Sequence, residues 1–113
     1  MTETTTPVQL VVFSIHEQLY ALPISRVEEI IRVVPITPVP GIAPYIAGVI
    51  QLRGNIVPVV DLKLRFGMPP FQADKKSRIM IVRLHQESLG LLVDEIRQVA
   101  IVESDRLDPS PDM

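Results

Sequence analysis

Apolar and polar positions alternate in short runs along this chain, and the runs predict strands. Val8 to Ile15 is apolar apart from Gln9 and Ser14, which predicts a strand buried on both faces. His16-Glu17-Gln18 supplies a polar turn, and Leu19 to Leu22 a returning strand. Ser25 followed by Glu28 fits a capping box, in which each side chain satisfies an orphan backbone N–H. With Ile24, Val27, Ile30 and Ile31 on one face, the spacing predicts a short helix over residues 25–32. Its β-branched residues lower helix propensity, so packing would have to hold it.

Pro35, Pro38, Pro40 and Pro44 then follow closely. Their missing N–H groups exclude a central strand or a helix interior, so this stretch reads as an extended connector at an edge. Ile46 to Arg53 and Ile56 to Val60 read as a hairpin about Gly54-Asn55, with Arg53 beside Ile56 and Gln51 beside Pro58. Pro58 cannot donate to a ladder and marks an edge or a bulge. Asp61 can cap one helical turn through Leu64, closed by Gly67. Met68 to Lys76 is an exposed loop. Ile79 to Leu84 and Leu89 to Val93 form another hairpin about Gln86-Glu87-Ser88, and Val99 to Val102 a last strand. Such spacing predicts small antiparallel barrels or a sandwich. No connection holds a crossover helix long enough for a parallel βαβ unit.

Composition narrows the chemistry. The 113 residues carry a net charge of -2 and are 47% hydrophobic, enough for one domain with a core. The balance offers no electrostatic footprint for nucleic acid or an anionic membrane. Cysteine is absent, which excludes disulfides, thiolate metal sites and a cysteine nucleophile. No run approaches the roughly 18 apolar residues of a membrane span, and the first seven residues lack the features of a signal peptide. They read as a disordered lead-in, and the expected location is the cytoplasm.

Reactive groups do not converge in the pattern. His16 and His85 fall at hairpin ends without other ligand types at metal spacing. No serine lies in a nucleophile elbow, and the five glycines never gather into a phosphate loop. Asp94 and Glu95, as strand neighbours, point to opposite faces; an enzyme would need Asp61, Asp94 and Glu95 to meet in three dimensions. Lys75, Lys76 and Arg78 form a basic cluster without interleaved aromatics, which favours a solvated loop over nucleic-acid binding. Binding remains, and the stretch Gly48 to Leu62 has most character: an apolar ribbon with one cation, Arg53, at its tip. The residues alone leave open whether that arginine is merely solvated.

At this stretch the chain resembles the CheW domain family. Leu52-Arg53-Gly54 followed by Pro58-Val59-Val60-Asp61-Leu62 matches the family's most distinctive run. Val27-Glu28-Glu29-Ile30, Tyr45-Ile46-Ala47-Gly48-Val49 and Leu89-Gly90-Leu91-Leu92-Val93-Asp94-Glu95-Ile96 support it in order along the chain. The resemblance implies an all-β fold of two linked five-stranded SH3-like barrels. It implies a non-catalytic adaptor, without cofactor or metal, joining the regulatory domain of the CheA histidine kinase to the cytoplasmic tips of methyl-accepting chemoreceptors at membrane-associated arrays. By the same resemblance, receptor contacts map to Val27, Glu29, Gly48, Arg53, Gly90, Ile96 and Val99, and kinase contacts to Asn55 and Ile56. A pairing of Arg53 with Glu29 is expected, because both map to the family's groove.

Family members normally continue for further strands and a helix beyond the position where this sequence ends. The expectation is a first barrel begun by strands 8–22 and left incomplete, a helix at 25–32, a second barrel over about 36–102, and a polar tail from 105 to 113. Too few later strands follow to cover the apolar stretch from Val8 to Leu22. Self-association or strand exchange through it is therefore expected, with the proline connector as hinge. A piece of a larger regulator carrying this domain, such as the kinase's own regulatory module, is the alternative.

Overall fold

The computed structural model describes residues 7–103, so the lead-in before Pro7 and the tail beyond Glu103 lie outside the described residues. Among the described residues, eight strands form two sheets. Strands β1 (Pro7–Ile15), β2 (Gln18–Pro23) and β8 (Glu95–Glu103) make one, ordered β2-β1-β8. The other is ordered β3-β6-β7-β5-β4, with β3 (Val27–Arg32), β4 (Ile46–Leu52), β5 (Asn55–Val60), β6 (Arg78–Leu84) and β7 (Glu87–Val93). The all-β expectation thus holds, with five strands on one side and three described strands on the side expected to be incomplete.

The expected helix at 25–32 is not there. Ile24–Arg26 makes one 3-10 turn without a side-chain cap, and Val27–Arg32 is strand β3, paired antiparallel with β6. Burial instead repeats every second residue: Val27, Glu29 and Ile31 are half-buried and Glu28, Ile30 and Arg32 exposed, with Val27 against one core and Ile31 against the other. With β-branched residues and a waiting partner strand, pairing overrides the helical reading. The division of strands differs too. β3 belongs to the five-stranded sheet and β8 to the three-stranded one, so the three-stranded sheet joins the two ends of the described chain while the five-stranded sheet is the continuous stretch from β3 to β7.

Strand β6 lies at the centre of both cores. Met80 and Val82 pack with Val11, Phe13, Ile15 and Val93 between the sheets. Ile79 and Ile81 point the other way, toward Ile50, Val57, Val59 and Leu92. Alternation along one strand therefore feeds two cores, and each such side chain fully buried contributes about 1.5–3 kcal/mol. The second core is drawn from β4, β5, β6 and β7 of a single sheet, so that sheet curls around it. By contrast β1 is buried only from Val11 onward, with Pro7 and Gln9 exposed, rather than along its whole length.

The β4–β5 turn is Arg53-Gly54, with Leu52 opposite Asn55 and Gln51 opposite Ile56, one residue earlier than the spacing suggested. Both turn residues have positive φ, 53° and 82°. Glycine takes the second central position, as in Asn-Gly turns, where that conformation costs it least. Pro58 stands opposite Val49, just before β5 begins a parallel pairing with β7 at Val59 and Val60. That parallel pair was not expected; its crossover runs through β6 rather than through a long helix. Asp61 does cap a helical turn, α1 (Leu62–Arg65), accepting from Lys63 N at 3.0 Å. Its second oxygen accepts from Phe71 N at 3.0 Å, so one buried carboxylate anchors both the turn and the loop beyond it.

Candidate functional site: a charged groove at the hairpin tips

Strand β3 is an edge of the five-stranded sheet, and the β4–β5 hairpin forms the opposite edge. The curl brings them together. Arg53 Nη1 donates to Glu29 Oε1 at 2.6 Å and Nη2 to Oε2 at 2.7 Å, a two-pronged pair joining the two edges. The expected pair is therefore present, though it joins strand to hairpin rather than helix to hairpin. The arginine side chain remains 69% exposed and the glutamate 27%.

The backbone explains how two neighbouring glutamates serve one surface. On a regular strand Glu28 and Glu29 would face opposite ways. Here the β3–β6 register slips between Val27, opposite Val82, and Glu29, opposite Ile81. Glu28 is the extra residue of a bulge, which re-aims its side chain. Its carboxylate accepts from Ser88 Oγ at 2.6 Å and from Arg83 Nε at 2.8 Å. The Ser88 hydrogen bond, then Arg83, hold the Glu28 carboxyl below its ordinary pKa. Glu29 is held low by the hydrogen bond from Arg53, whose own pKa is raised in turn.

These groups line a groove of about 840 Å³ whose walls also include Leu52, Asn55, Ile56 and Pro58. Of the nine residues singled out from the sequence, Glu29, Arg53, Asn55 and Ile56 meet here. Ile56 is 64% exposed at the lip. The others lie elsewhere. Val27 and Ile96 pack against the core between the sheets, and Val99 is 51% exposed on β8, opposite Val11. Gly48 and Gly90 are buried and present no side chain. What they supply is room: a Cβ on Gly48 would fall 2.2 Å from Thr37 O, and one on Gly90 2.9 Å from Ile79 Cγ2. Glu28, Arg83 and Ser88 were missed as site residues. The signal was available only through the bulge, which a residue pattern does not display.

Elsewhere the acidic residues hold the fold together. Asp94 Oδ2 accepts from His16 N at 2.7 Å and Oδ1 from Lys63 Nζ at 2.9 Å, while Asp94 N donates to Ser14 O. It thereby ties the β1–β2 turn to α1. Glu95 pairs with Arg97 at 3.7 Å, and Asp61 spends both oxygens on backbone N–H groups. Among the described residues no three His, Asp or Glu side chains gather as a metal would require. No described helix is long and apolar enough to cross a membrane.

Fold and groove together define a class: a small two-sheet β module whose open groove is lined by opposed, mutually paired charges. The chain belongs to the CheW-like domain family, whose model matches residues 9–113. It is 34% identical to the chemotaxis protein CheW of Bacillus subtilis over 97% of this chain and 70% of that one. Similarity to the CheW of Helicobacter pylori is 32%, over 92% of this chain and 63% of the relative. The crystal structure of the scaffolding protein TtCheW from Thermoanaerobacter tengcongensis superposes with a TM-score of 0.87 at 41% identity, covering 96% of this chain and 74% of that chain. The chain thus spans about two thirds to three quarters of these relatives' length.

Proposed function

We propose that this protein is a non-catalytic adaptor of chemotaxis signalling, coupling methyl-accepting chemoreceptors to a CheA-type histidine kinase at receptor arrays, and that the groove of Arg53 and Glu29 is a docking surface for one of these partners. The observation that carries the reading is the groove itself. It combines an exposed apolar lip at Ile56 with charges already neutralised in pairs, so a partner can cover it without stranding an unpaired charge. Gly48 and Gly90 act through the fold in this reading, and Val27 and Ile96 through the core. Membership of the family and the scaffolding relative support the adaptor role.

The test is a pull-down with a receptor cytoplasmic fragment and, separately, the kinase regulatory domain. Capture of either supports the adaptor role; capture of neither ends it. A second reading, a module of a larger regulator, draws on the CheV3 protein of Helicobacter pylori. That protein is 27% identical over 84% of this chain, which covers only 31% of it. Flanking genomic sequence encoding a kinase core or a further domain in frame would decide for that reading.

A further inference from the structure

We propose a second interaction surface at the far end of β6: a basic depression that takes an acidic segment of a partner protein. Arg32 and Arg78 stand directly opposite each other on β3 and β6, which places their side chains on one face, where like charges repel. Lys75 joins them along a depression of about 510 Å³. Among the described residues the ion pairs are Arg53–Glu29, Lys63–Asp94, Arg83–Glu28 and Arg97–Glu95, and none neutralises this cluster.

The cluster is also held in place. Arg78 Nη1 donates to Lys75 O at 2.9 Å and Ser77 O at 2.7 Å. The loop carrying the lysines is locked by Asp74, whose Oδ1 accepts from Lys76 N, Ser77 N and Ser77 Oγ. That carboxylate lines the depression too, but its hydrogen bonding is directed into its own loop. Glu95 borders the adjoining hollow of Lys75, Lys76 and Arg78 and is paired with Arg97. Repelling cations on fixed backbone, none of them in a salt bridge among the described residues and sharing the depression with the carboxylate of Asp74 alone, form a site preorganised for carboxylates, to which arginine forks bind in two-pronged fashion.

The chain's net charge of -2 opposes an extended polyanion or an anionic membrane surface and favours a short acidic peptide that touches the patch alone. The patch is separate from the groove. Arg78 and Arg83 lie five residues apart on one strand, about 16 Å, so both surfaces can be occupied at once. The inference does not rest on the adaptor reading, since affinity for acidic peptide can be measured without receptor or kinase.

The experiment titrates the full chain with a capped hexaglutamate peptide at low salt, following backbone amide shifts by NMR. Expected are saturable shifts at residues 32, 33 and 74–78, weakened at least tenfold by Arg32→Ala with Lys75→Glu and by raised salt, and unchanged by Arg53→Ala. Both substituted residues are exposed and the Lys75 carbonyl is retained, so melting should match the parent. Inorganic phosphate and vesicles of phosphatidylserine and phosphatidylcholine serve as competing probes. No shifts at millimolar peptide would overturn the proposal, as would shifts indifferent to the double variant. Vesicle binding without peptide binding would overturn it in favour of a membrane.

Discussion

Replacing Gly48 by alanine asks whether a residue that the family resemblance assigns to the receptor surface acts by contact or by shape. Gly48 lies at the β4–β5 register slip with φ +152°, a conformation L side chains rarely adopt. Its alanine Cβ would meet Thr37 O at 2.2 Å, Thr37 C at 2.7 Å and Ile36 Cγ2 at 2.8 Å. Ordinary contact begins near 3.4 Å, so the Thr37 backbone must retreat by about 1.2 Å. That opens the bridge in which Thr37 and Val49 exchange two N–H···O bonds of 2.9 Å. Two net hydrogen bonds are worth about 1 kcal/mol each, and the strained φ adds roughly 1–3 kcal/mol. The sum, about 3–5 kcal/mol, is a large share of a domain's roughly 5–15 kcal/mol, and should lower the melting midpoint by roughly 15–30 °C. Thermal unfolding followed by circular dichroism measures this, with Gly41→Ala as control: its φ is +79° but nothing lies within 4 Å of the added Cβ. A Gly48→Ala protein melting within about 2 °C of the parent, yet failing to bind a receptor fragment, would refute the reasoning and make Gly48 a contact residue.

Asp61→Ala removes the cap of α1 and the anchor of Phe71 N, and should cost about 2–4 kcal/mol in urea denaturation, with faster hydrogen exchange at Lys63 and Phe71 amides. Asp94→Ala frees His16 N and Lys63 at once; hydrogen bonds to charged groups are worth about 1.5–3 kcal/mol, and the His16 amide should lose exchange protection first. Because Arg53 depresses the Glu29 pKa, the pair is intact at neutral pH and is lost as pH falls below the ordinary value near 4.5. An NMR carboxyl titration should place the Glu29 midpoint below that value, and Arg53→Ala should raise it while leaving Glu28, held mainly by Ser88 and Arg83, nearly unmoved.

Much of this architecture was legible in local chemistry. The turn at His16, the proline connector, the Asp61 cap and the β6–β7 hairpin each announce themselves within a few residues, because turn and cap preferences are local. What escaped depends on partners distant in sequence. Residues 27–32 carry apolar spacing compatible with helix or strand, and only the neighbouring β6 decides. The placement of β8 beside β1 joins residues some ninety positions apart, which no window reveals. The site divides the same way. Arg53 and Glu29 were legible through the family motif, whereas Glu28, Arg83 and Ser88 gather through a bulge in β3 and a fold-made juxtaposition.

The central claim, that the groove serves partners rather than stability, is tested most directly by isothermal titration of a receptor cytoplasmic fragment and of the kinase regulatory domain into parent and Arg53→Ala. With 69% of the arginine side chain exposed, the variant should fold and melt close to the parent. Its affinity for at least one of the two should fall about tenfold or more. Parent-like affinity for both, or a large fall in melting temperature with binding intact, would contradict the account and leave Arg53 a clasp between sheet edges.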